Sequence, residues 1–396
     1  MPQPLPRSLL VTVNYPPSIG GIERYYAELA EHLPEGSILV STPPMAGSRA
    51  HDASHPVEVA RPPIPRRQSH KLVFVWIWWI QVLELCLARK IRVLHCGNFT
   101  PAGYICRWAK QVLGIPYFIY FHGMDIEKAA RKLAQPGWRA RTLRGILQDA
   151  ARCFANSRDT KARLVRAGVP EQNIVLLSPG VELDRFRPGS VRLPRAARFA
   201  GRPTLLTVGR YAKRKGVDQV VRALPTIRRS IPDVQFVVLG RRQEENLAPL
   251  VRELGLESQV HFLGEVNENE LPDFYRAASL FVMPAHEDEG DASVEGFGIV
   301  FLEAAASGIP AIGGRSGGME DAIVDGETGY LVNGRDVEEL AARIIEVLGS
   351  QERRRTLGAN ARARAVAEFD WSTRANVVLE EMRRATGQVE MQHRED

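Results

Sequence analysis

Two glutamates in a glycine-rich stretch are the residues of this chain best suited to chemistry. Glu295 and Glu303 stand eight positions apart, with Gly296 and Gly298 between them. Gly308 is typical of a helix end, so the pattern predicts a helix from about 298 to 307, with Glu295 on the loop before it. The glycines would let a ligand reach bare backbone, and the helix N-terminus favours an anion. A carboxylate on each side of an anion site could bind sugar hydroxyls, which predicts a nucleotide-sugar site.

A second pattern places two cations at the end of a strand. A predicted strand ends at Gly209, and Arg210 follows, with Lys215 five positions further on. Arginine binds phosphate through two donors and lysine as a point charge, so the pair could hold a diphosphate. The alternative is an ordinary basic surface loop. For the glutamates, the alternative is a loop that opens a buried helix and leaves Glu303 in solvent.

Two further patterns lie where parallel strands are predicted to end. One strand leads into His122-Gly-Met-Asp125, and the first strand leads to Gly20-Gly21 before an amphipathic run. Open α/β sheets bind ligands at the carboxyl ends of their strands, so a ligand could bind at both places, although the residues alone favour a structural role. A structural histidine and a tight packing turn are the alternatives. The glycine pair is not GxGxxG, which disfavours an NAD-dependent oxidoreductase.

The composition is that of a globular protein with two domains. The chain has 396 residues, 44% apolar and 25% charged, which is enough for two cores. Four cysteines without CxxC spacing predict reduced thiols in a cytosolic protein, and the N-terminus does not resemble a signal peptide. The stretch from Arg131 to Arg166 contains ten Lys and Arg residues and only two acidic residues. This basic stretch favours anionic lipid or a solvated face over nucleic acid.

A tryptophan-rich run is a candidate for a membrane surface. Its apolar core, residues 72–80, is nine residues long, against the roughly 20 that span a bilayer. Four basic residues precede it: Arg61, Arg66, Arg67 and Lys71. Three tryptophans cannot share one helix face: Trp76, Trp78 and Trp79. The run predicts a helix with one face in the core and the other on an anionic membrane surface. The alternative is a helix packed wholly in the core.

These stretches resemble the retaining glycosyltransferases of the GT4 group, which have the GT-B fold. The resemblance is strongest over 204–332, where Gly-Arg…Lys-Gly and the paired glutamates lie. It implies an α/β protein of two Rossmann-like domains that face each other across a cleft, with a C-terminal helix crossing back to the first domain. We expect four segments: an acceptor-binding domain at 1–188, a linker at 189–202, a nucleotide-sugar-binding domain at 203–370, and the returning helix with a polar tail at 371–396.

The resemblance also implies a role for each catalytic residue. Arg210 and Lys215 would hold the donor diphosphate and offset its charge in place of a metal. Glu295 would bind the hydroxyls of the sugar, and His122 would lie on the reacting side of that sugar. The acidic segment 284–295 has no DxD, the usual metal-nucleotide signature of the other major glycosyltransferase fold. We therefore expect neither a metal nor a cofactor.

The same resemblance assigns the rest of the donor site. Glu303 would bind the ribose, Gly20 and Gly21 would lie under the pyrophosphate, and the backbone at Val266 would contact the base. The other donor-binding residues form one run: Gly296, Phe297, Gly298, Ile299 and Val300.

The implied reaction is transfer of a hexose from a nucleotide-diphosphate sugar, with retention of configuration. The stretches 14–22 and 294–300 look most like mannosyltransferases of the phosphatidylinositol-mannoside type, which favours GDP-mannose over a UDP-sugar. The acceptor would be a glycolipid or a growing glycan, and the protein would be cytoplasmic and peripheral on the inner face of the plasma membrane. A non-catalytic nucleotide-sugar sensor is the alternative, and it would need neither His122 nor Glu295.

Overall fold

The computed structural model describes residues 5–64, 67, 71–287 and 295–388. The chain forms two units: Met1–Pro179 together with Trp371–Asp396, and Gly180–Asp370. Each is built on a parallel sheet. Most residues of the strands are buried, as expected for strands that are covered on both faces of the sheet.

The sheet of the first unit contains seven strands within the described residues, in the order β3-β2-β1-β4-β5-β6-β7. These strands are β1 (Ser8–Val11), β2 (Ile38–Ser41), β3 (Val59–Ala60), β4 (Val93–Cys96), β5 (Tyr117–Phe121), β6 (Arg152–Ala155) and β7 (Ile174–Leu176). The helices are α1 (Gly21–His32), α2 (Ser48–Ser54), α3 (Leu72–Ala88), α4 (Ala102–Leu113), α5 (Met124–Leu133), α6 (Trp138–Asp149) and α7 (Arg158–Arg166). The strand order reverses between β1 and β4, as in a Rossmann sheet.

The second unit repeats this plan. Its described strands are ordered β10-β9-β8-β11-β12-β13, and the order reverses between β8 and β11. The strands are β8 (Thr204–Val208), β9 (Gln235–Leu239), β10 (Val260–Gly264), β11 (Leu280–Met283), β12 (Ala311–Gly314) and β13 (Gly329–Val332). The helices are α8 (Pro194–Ala197), α9 (Val217–Ser230), α10 (Gln243–Glu253), α11 (Leu271–Ala277), α12 (Ile299–Ala306), α13 (Met319–Ala322), α14 (Val337–Gly349) and α15 (Gln351–Glu368).

The last helix, α16 (Trp371–Ala385), belongs to the first unit, as the sequence predicts. It is fixed there by polar contacts on buried side chains. Trp371 donates from its indole nitrogen to Glu28 of α1 at 2.5 Å, and Arg152 of β6 forms an ion pair with Glu381 at 2.7 Å. The helix begins at Trp371, at the start of the segment 371–396 that the sequence assigns to it.

The boundary between the units lies after Pro179 rather than after 188. The predicted linker 189–202 contains α8, and Ala196 and Phe199 are buried in the same core as Phe186 and Phe274. Because these side chains complete that core, residues 180–202 belong to the second unit.

Residues 42–70 contain many Pro, Arg, His and Ser residues, a composition that predicts an irregular surface loop. This prediction is wrong for 42–64, which contains α2 and β3. Arg61 explains how so short a helix is held. Its guanidinium donates to the carboxylate of Asp52 at 2.7 and 2.8 Å, and to the main-chain oxygens of Pro43 and Pro16 at 3.0 and 2.9 Å. A helix of seven residues is not stable on propensity alone, so long-range contacts decide its formation.

Candidate active site

The predicted site residues of the second unit lie at the carboxyl edge of its sheet. Arg210 and Lys215 follow β8, and Glu295 lies beyond β11, immediately before α12. β8 and β11 are hydrogen-bonded neighbours at the position where the strand order reverses. Open α/β sheets bind ligands at this position, because the loops diverge there and leave a crevice.

The ammonium group of Lys215 lies directly beside Gly209. A Cβ atom built on Gly209 would be 2.5 Å from Nζ, and this glycine has φ +139°, which residues with side chains rarely adopt. The Gly209 peptide is itself held tightly. A Cβ on Gly240 would be 2.1 Å from the Gly209 carbonyl oxygen, and Gln243 donates from Nε2 to that oxygen at 2.8 Å. The bare backbone at Gly209 therefore makes the space that the lysine occupies.

Lys215 is the centre of a group of charges. Burial lowers the pKa of its ammonium, Glu295 raises that pKa, and Arg214 and Arg210 lower it further. Lys215 is half-buried and Arg210 is exposed. The structure thus brings the predicted cations and the first predicted carboxylate together, and it adds Arg214, which the sequence analysis did not identify.

Glu295 is fixed by two contacts. Arg214 donates from Nη2 to its Oε2 at 3.2 Å, and both side chains are mostly buried, with 13% of Arg214 and 17% of Glu295 exposed. The amide of Gly318 donates to the main-chain oxygen of Glu295 at 3.1 Å. Glu295 therefore lies on the loop before the helix, as predicted, with its carboxylate already held by a cation.

The helix α12 begins and ends where the glycines predict. Gly298 caps its N-terminus with φ 82°, and Gly308 follows its end with φ +77°. Glu303 is inside the helix and is 1% exposed, so the alternative of a solvated carboxylate is wrong. The hydroxyl of Tyr275, on α11, donates to Oε2 of Glu303 at 2.6 Å. The second carboxylate is thus held in a buried position.

The remaining donor-site candidates of the second unit surround this helix start. Gly296 packs against Gly318, where a Cβ would be 2.0 Å from the Gly296 carbonyl oxygen, and Phe297 is buried. Ile299 and Val300 form the first turn of α12 and are half-buried. Val266 follows β10 and packs on the core of the unit.

In the first unit, Gly20 and Gly21 lie at the start of α1. The two glycines differ in their surroundings. A Cβ on Gly20 would be 2.3 Å from a carboxylate oxygen of Glu23, whereas a Cβ on Gly21 would meet nothing within 4 Å. The other carboxylate oxygen of Glu23 accepts a hydrogen bond from the side-chain nitrogen Nδ2 of Asn14 at 2.7 Å. Only the space beside Gly21 is therefore open for a ligand, and Glu23 fills the space beside Gly20.

His122 follows β5 and is half-buried among aromatic rings. Its Nε2 is 2.8 Å from the hydroxyl of Tyr26, and that hydroxyl donates to the carbonyl oxygen of Gly97 at 2.6 Å. Because the hydroxyl proton is used on Gly97, Nε2 of His122 carries a proton and donates it to Tyr26. Burial lowers the pKa of His122 to about 4, so the ring is neutral near pH 7, with Nδ1 as an acceptor. Asp125 fixes the turn by accepting from the amide of His122 at 2.9 Å.

The tryptophan-rich run forms α3, and its rings divide as the helix geometry predicts. Trp78 is fully buried and donates to the hydroxyl of Ser41 at 2.8 Å, whereas Trp76 is 50% exposed. Trp76 stacks on Trp108 of α4 with 5.2 Å between ring centroids, and Val73 and Ile80 are exposed beside it on α3. Over the described part of the chain, no helix is long and apolar enough to cross a membrane.

Arg61 cannot face a membrane as predicted, because its guanidinium is occupied by Asp52 and by two carbonyl oxygens. Arg66 and residues 288–294 of the acidic segment lie outside the described residues. Within the described ranges, no three His, Cys, Asp or Glu side chains are grouped so that they could hold a metal ion.

The chain is similar to known families over nearly its whole length. Residues 19–185 match Glycosyltransferase Family 4, and residues 194–364 match Glycosyl transferases group 1. A GDP-mannose-dependent alpha-(1-6)-phosphatidylinositol monomannoside mannosyltransferase of Mycobacterium tuberculosis is 31% identical over 93% of this chain and 96% of the relative. The monoacylated phosphatidylinositol monomannoside mannosyltransferase of Corynebacterium glutamicum is 30% identical over 92% and 94%.

Solved structures confirm the fold. HepE from Anabaena, in complex with UDP and glucose, has a TM-score of 0.77 at 19% identity over 94% of this chain and 98% of that chain. A glycosyltransferase from Rickettsia africae has a TM-score of 0.79 at 17% identity over 97% and 100%. The two parallel-sheet units are those of the GT-B fold, and the protein is a nucleotide-sugar glycosyltransferase rather than a sensor. The chain belongs to glycosyltransferase family 4.

Proposed function

We propose that the second unit binds the donor, and that the donor is GDP-mannose. The observation that carries the donor site is the position of Lys215, whose amine lies at the bare backbone of Gly209 with Glu295 and Arg210 as its charged neighbours. A cation at a strand end can bind the diphosphate of such a donor, and a carboxylate beside it can bind the hydroxyls of the attached sugar. The two GDP-mannose-dependent relatives match this chain over nearly their whole length, which supports mannose as the transferred sugar and guanine as the base of the donor.

In the proposed reaction, the bond between the sugar C1 and the diphosphate oxygen breaks, and its electron pair remains on the diphosphate. The acceptor hydroxyl oxygen forms the new bond to C1 on the same face, and its proton ends on the diphosphate. Arg210 and Lys215 stabilise the charge that develops on the leaving group. Glu295 and Glu303 bind the hydroxyls of the sugar and the ribose.

His122 is proposed to bind a sugar hydroxyl as a neutral group. Since Nε2 is used on Tyr26, the free nitrogen is Nδ1, which can accept a hydrogen bond. Its lowered pKa keeps it in this form throughout the neutral range. It is therefore suited to orienting a hydroxyl and not to serving as a general acid.

The donor proposal is tested by slow hydrolysis. Purified protein is incubated with GDP-mannose, GDP-glucose, UDP-glucose or UDP-N-acetylglucosamine, and the released sugar and nucleotide are detected by mass. GDP-mannose is expected to be turned over fastest, and Lys215→Ala is expected to lower this turnover about 100-fold. Preference for a UDP-sugar would refute the choice of base but keep the diphosphate site, whereas turnover unaffected by Lys215→Ala would refute the site.

We further propose that the acceptor is lipid-linked and that the protein meets an anionic membrane through α3 and α4. Trp76 is exposed and stacks on the half-buried Trp108, with Val73 and Ile80 exposed beside Trp76 and Arg67 and Lys71 exposed just before the helix. Tryptophan favours the headgroup level, and each basic side chain near an anionic surface contributes about 1 kcal/mol. The two relatives named above act on phosphatidylinositol monomannosides, which supports a lipid surface as the occupant.

Vesicle flotation tests this second proposal. The protein is expected to float with vesicles that contain phosphatidylinositol and to be released by salt, and Trp76→Ala with Trp79→Ala is expected to abolish binding. Val366→Ala serves as the control, because Val366 is an exposed apolar residue on α15 of the other unit. Absence of salt-sensitive binding would leave α3 as a core helix with an exposed edge. Transfer to phosphatidylinositol monomannoside, rather than to a soluble glycan, is the expected reaction.

A further inference from the structure

Arg214 occupies an unusual place between two functional groups of the proposed donor site. It stands one residue before Lys215 in a 3-10 turn, Lys213–Lys215, that links β8 to α9. Its Nη2 pairs with Glu295 at 3.2 Å, while the ammonium group of Lys215 forms no hydrogen bond or ion pair with any described residue, although the main-chain amide of Lys215 donates to Ala212 at 2.9 Å. Glu295 nevertheless lies close enough to Lys215 to raise the pKa of its ammonium.

The turn that carries Arg214 is anchored independently of this ion pair. Its carbonyl oxygen accepts from the amide of His286, beyond β11, at 2.8 Å. Gly216 closes the turn with φ +67°, and a Cβ there would be 2.3 Å from the carbonyl oxygen of Pro284. The main chain is thus fixed by contacts to the segment after β11, and the arginine side chain is free to act on Glu295.

Among the described residues, the guanidinium of Arg214 has no hydrogen-bond partner other than Glu295. Its Nε has no hydrogen-bond partner among the described residues, although it is buried. A buried donor without a partner lowers stability, so the ion pair with Glu295 forms even though Nε of the same guanidinium is left unsatisfied. Of the two cations beside the carboxylate, the arginine has the fork geometry that suits a carboxylate, and the lysine is a point charge.

We propose that Arg214 is a positioning residue that holds Glu295 away from Lys215, so that the lysine stays available for the donor diphosphate while the carboxylate is presented to the sugar. Without Arg214, Glu295 would pair with Lys215 and compete with the diphosphate for it. This inference rests on the proposed donor site. It assigns Arg214 an action through Glu295 and not a contact with the phosphates.

The competition predicts a distinctive double-variant result. Arg214→Met is expected to weaken GDP binding about 10-fold, because the released carboxylate captures Lys215. Glu295→Gln alone should leave GDP affinity unchanged. Adding Glu295→Gln to Arg214→Met should restore GDP affinity, since the competing charge is then gone, while sugar transfer stays low. Arg214→Lys should retain most GDP affinity, because a lysine can also pair with the carboxylate.

Calorimetric titration with GDP at constant low salt tests this on the full chain, with melting temperatures to show that each variant is folded. Lys213→Met is the matched control: Lys213 is exposed, adjacent, and carries the same charge. Rescue by the double variant, with Lys213→Met unchanged, supports the inference. A double variant as weak as Arg214→Met would show that Arg214 binds phosphate directly, and an equal loss in Lys213→Met would show a net-charge effect; either result overturns it. If the unchanged chain binds neither GDP nor UDP, the donor site itself is refuted.

Discussion

Replacing Gly209 with alanine tests whether the lysine beside it acts on the donor. The glycine has no catalytic atom of its own, and its value lies in the space it leaves for Nζ of Lys215. Alanine adds only one methyl group there. The far end of a lysine side chain is flexible, so the fold can accommodate the methyl group by moving the amine and leaving the sheet in place.

The size of the effect follows from the geometry. The added Cβ would be 2.5 Å from Nζ, and an ordinary nonbonded contact is about 3.5 Å, so the amine must move by about 1 Å. Misplacement of a reacting or stabilising group by about 1 Å can cost about 100-fold in rate, which corresponds to roughly 2.7 kcal/mol. The φ of +139° adds backbone strain of about 1–3 kcal/mol, which lowers the stability of the fold.

The assay compares kcat/KM for hydrolysis of GDP-mannose with the melting temperature. Gly137→Ala is the control for strain: it has φ +118°, and a Cβ there meets nothing within 4 Å. Both variants are expected to melt at a lower temperature, but only Gly209→Ala should lose activity. Gly209→Ala combined with Lys215→Ala should be no worse than Lys215→Ala alone, because both changes remove one interaction.

Unchanged kcat/KM in folded Gly209→Ala would refute the reasoning, since it would mean that the position of the amine does not matter. Full additivity of the two variants would also refute it, because the glycine would then act on something other than the lysine.

Three further predictions concern the same site. Arg210→Ala and Lys215→Ala are each expected to lower turnover about 100-fold with the fold intact, because each removes a charge-assisted donor to the leaving group; near-normal kcat/KM in both would refute the cation pair. Glu303→Ala should mainly weaken nucleotide binding and Glu295→Ala should mainly lower kcat, so equal losses of GDP affinity by calorimetry would contradict this division of roles. Activity should be complete in excess EDTA, since the site carries its own cations; loss that is reversed by Mg²⁺ or Mn²⁺ would contradict it.

The sequence predicts those parts of the site that depend on local geometry. Gly298 and Gly308 mark the two ends of α12 both in the sequence prediction and in the structure, because each end requires a left-handed backbone and this requirement is local. The same reasoning places Glu295 before the helix and Glu303 inside it. The strand predicted to lead into His122 is also present, since β5 ends at Phe121, because a buried parallel strand is a short apolar run.

The partners of these residues could not be predicted in this way. Arg214 and Glu295 are separated by 81 positions, and Tyr26 and His122 by 96, so no spacing connects them. A pattern shows which residues can ionise or donate, but the pairing depends on which loops meet at the sheet edge. The elements of 42–64 were missed for the same reason, since Arg61 holds α2 through contacts with Asp52 and distant carbonyl groups.

The return of α16 to the first unit has a consequence for the order in which this protein can fold during translation. Glu28 and Arg152 emerge from the ribosome long before Trp371 and Glu381, their partners on that helix. The second unit, Gly180–Asp370, is one continuous stretch and is fully synthesised before that helix appears. Domains usually complete their folding in the order of synthesis, from the N-terminus onward. Here the later unit can finish its core first, and the unit that begins the chain waits for residues made after it.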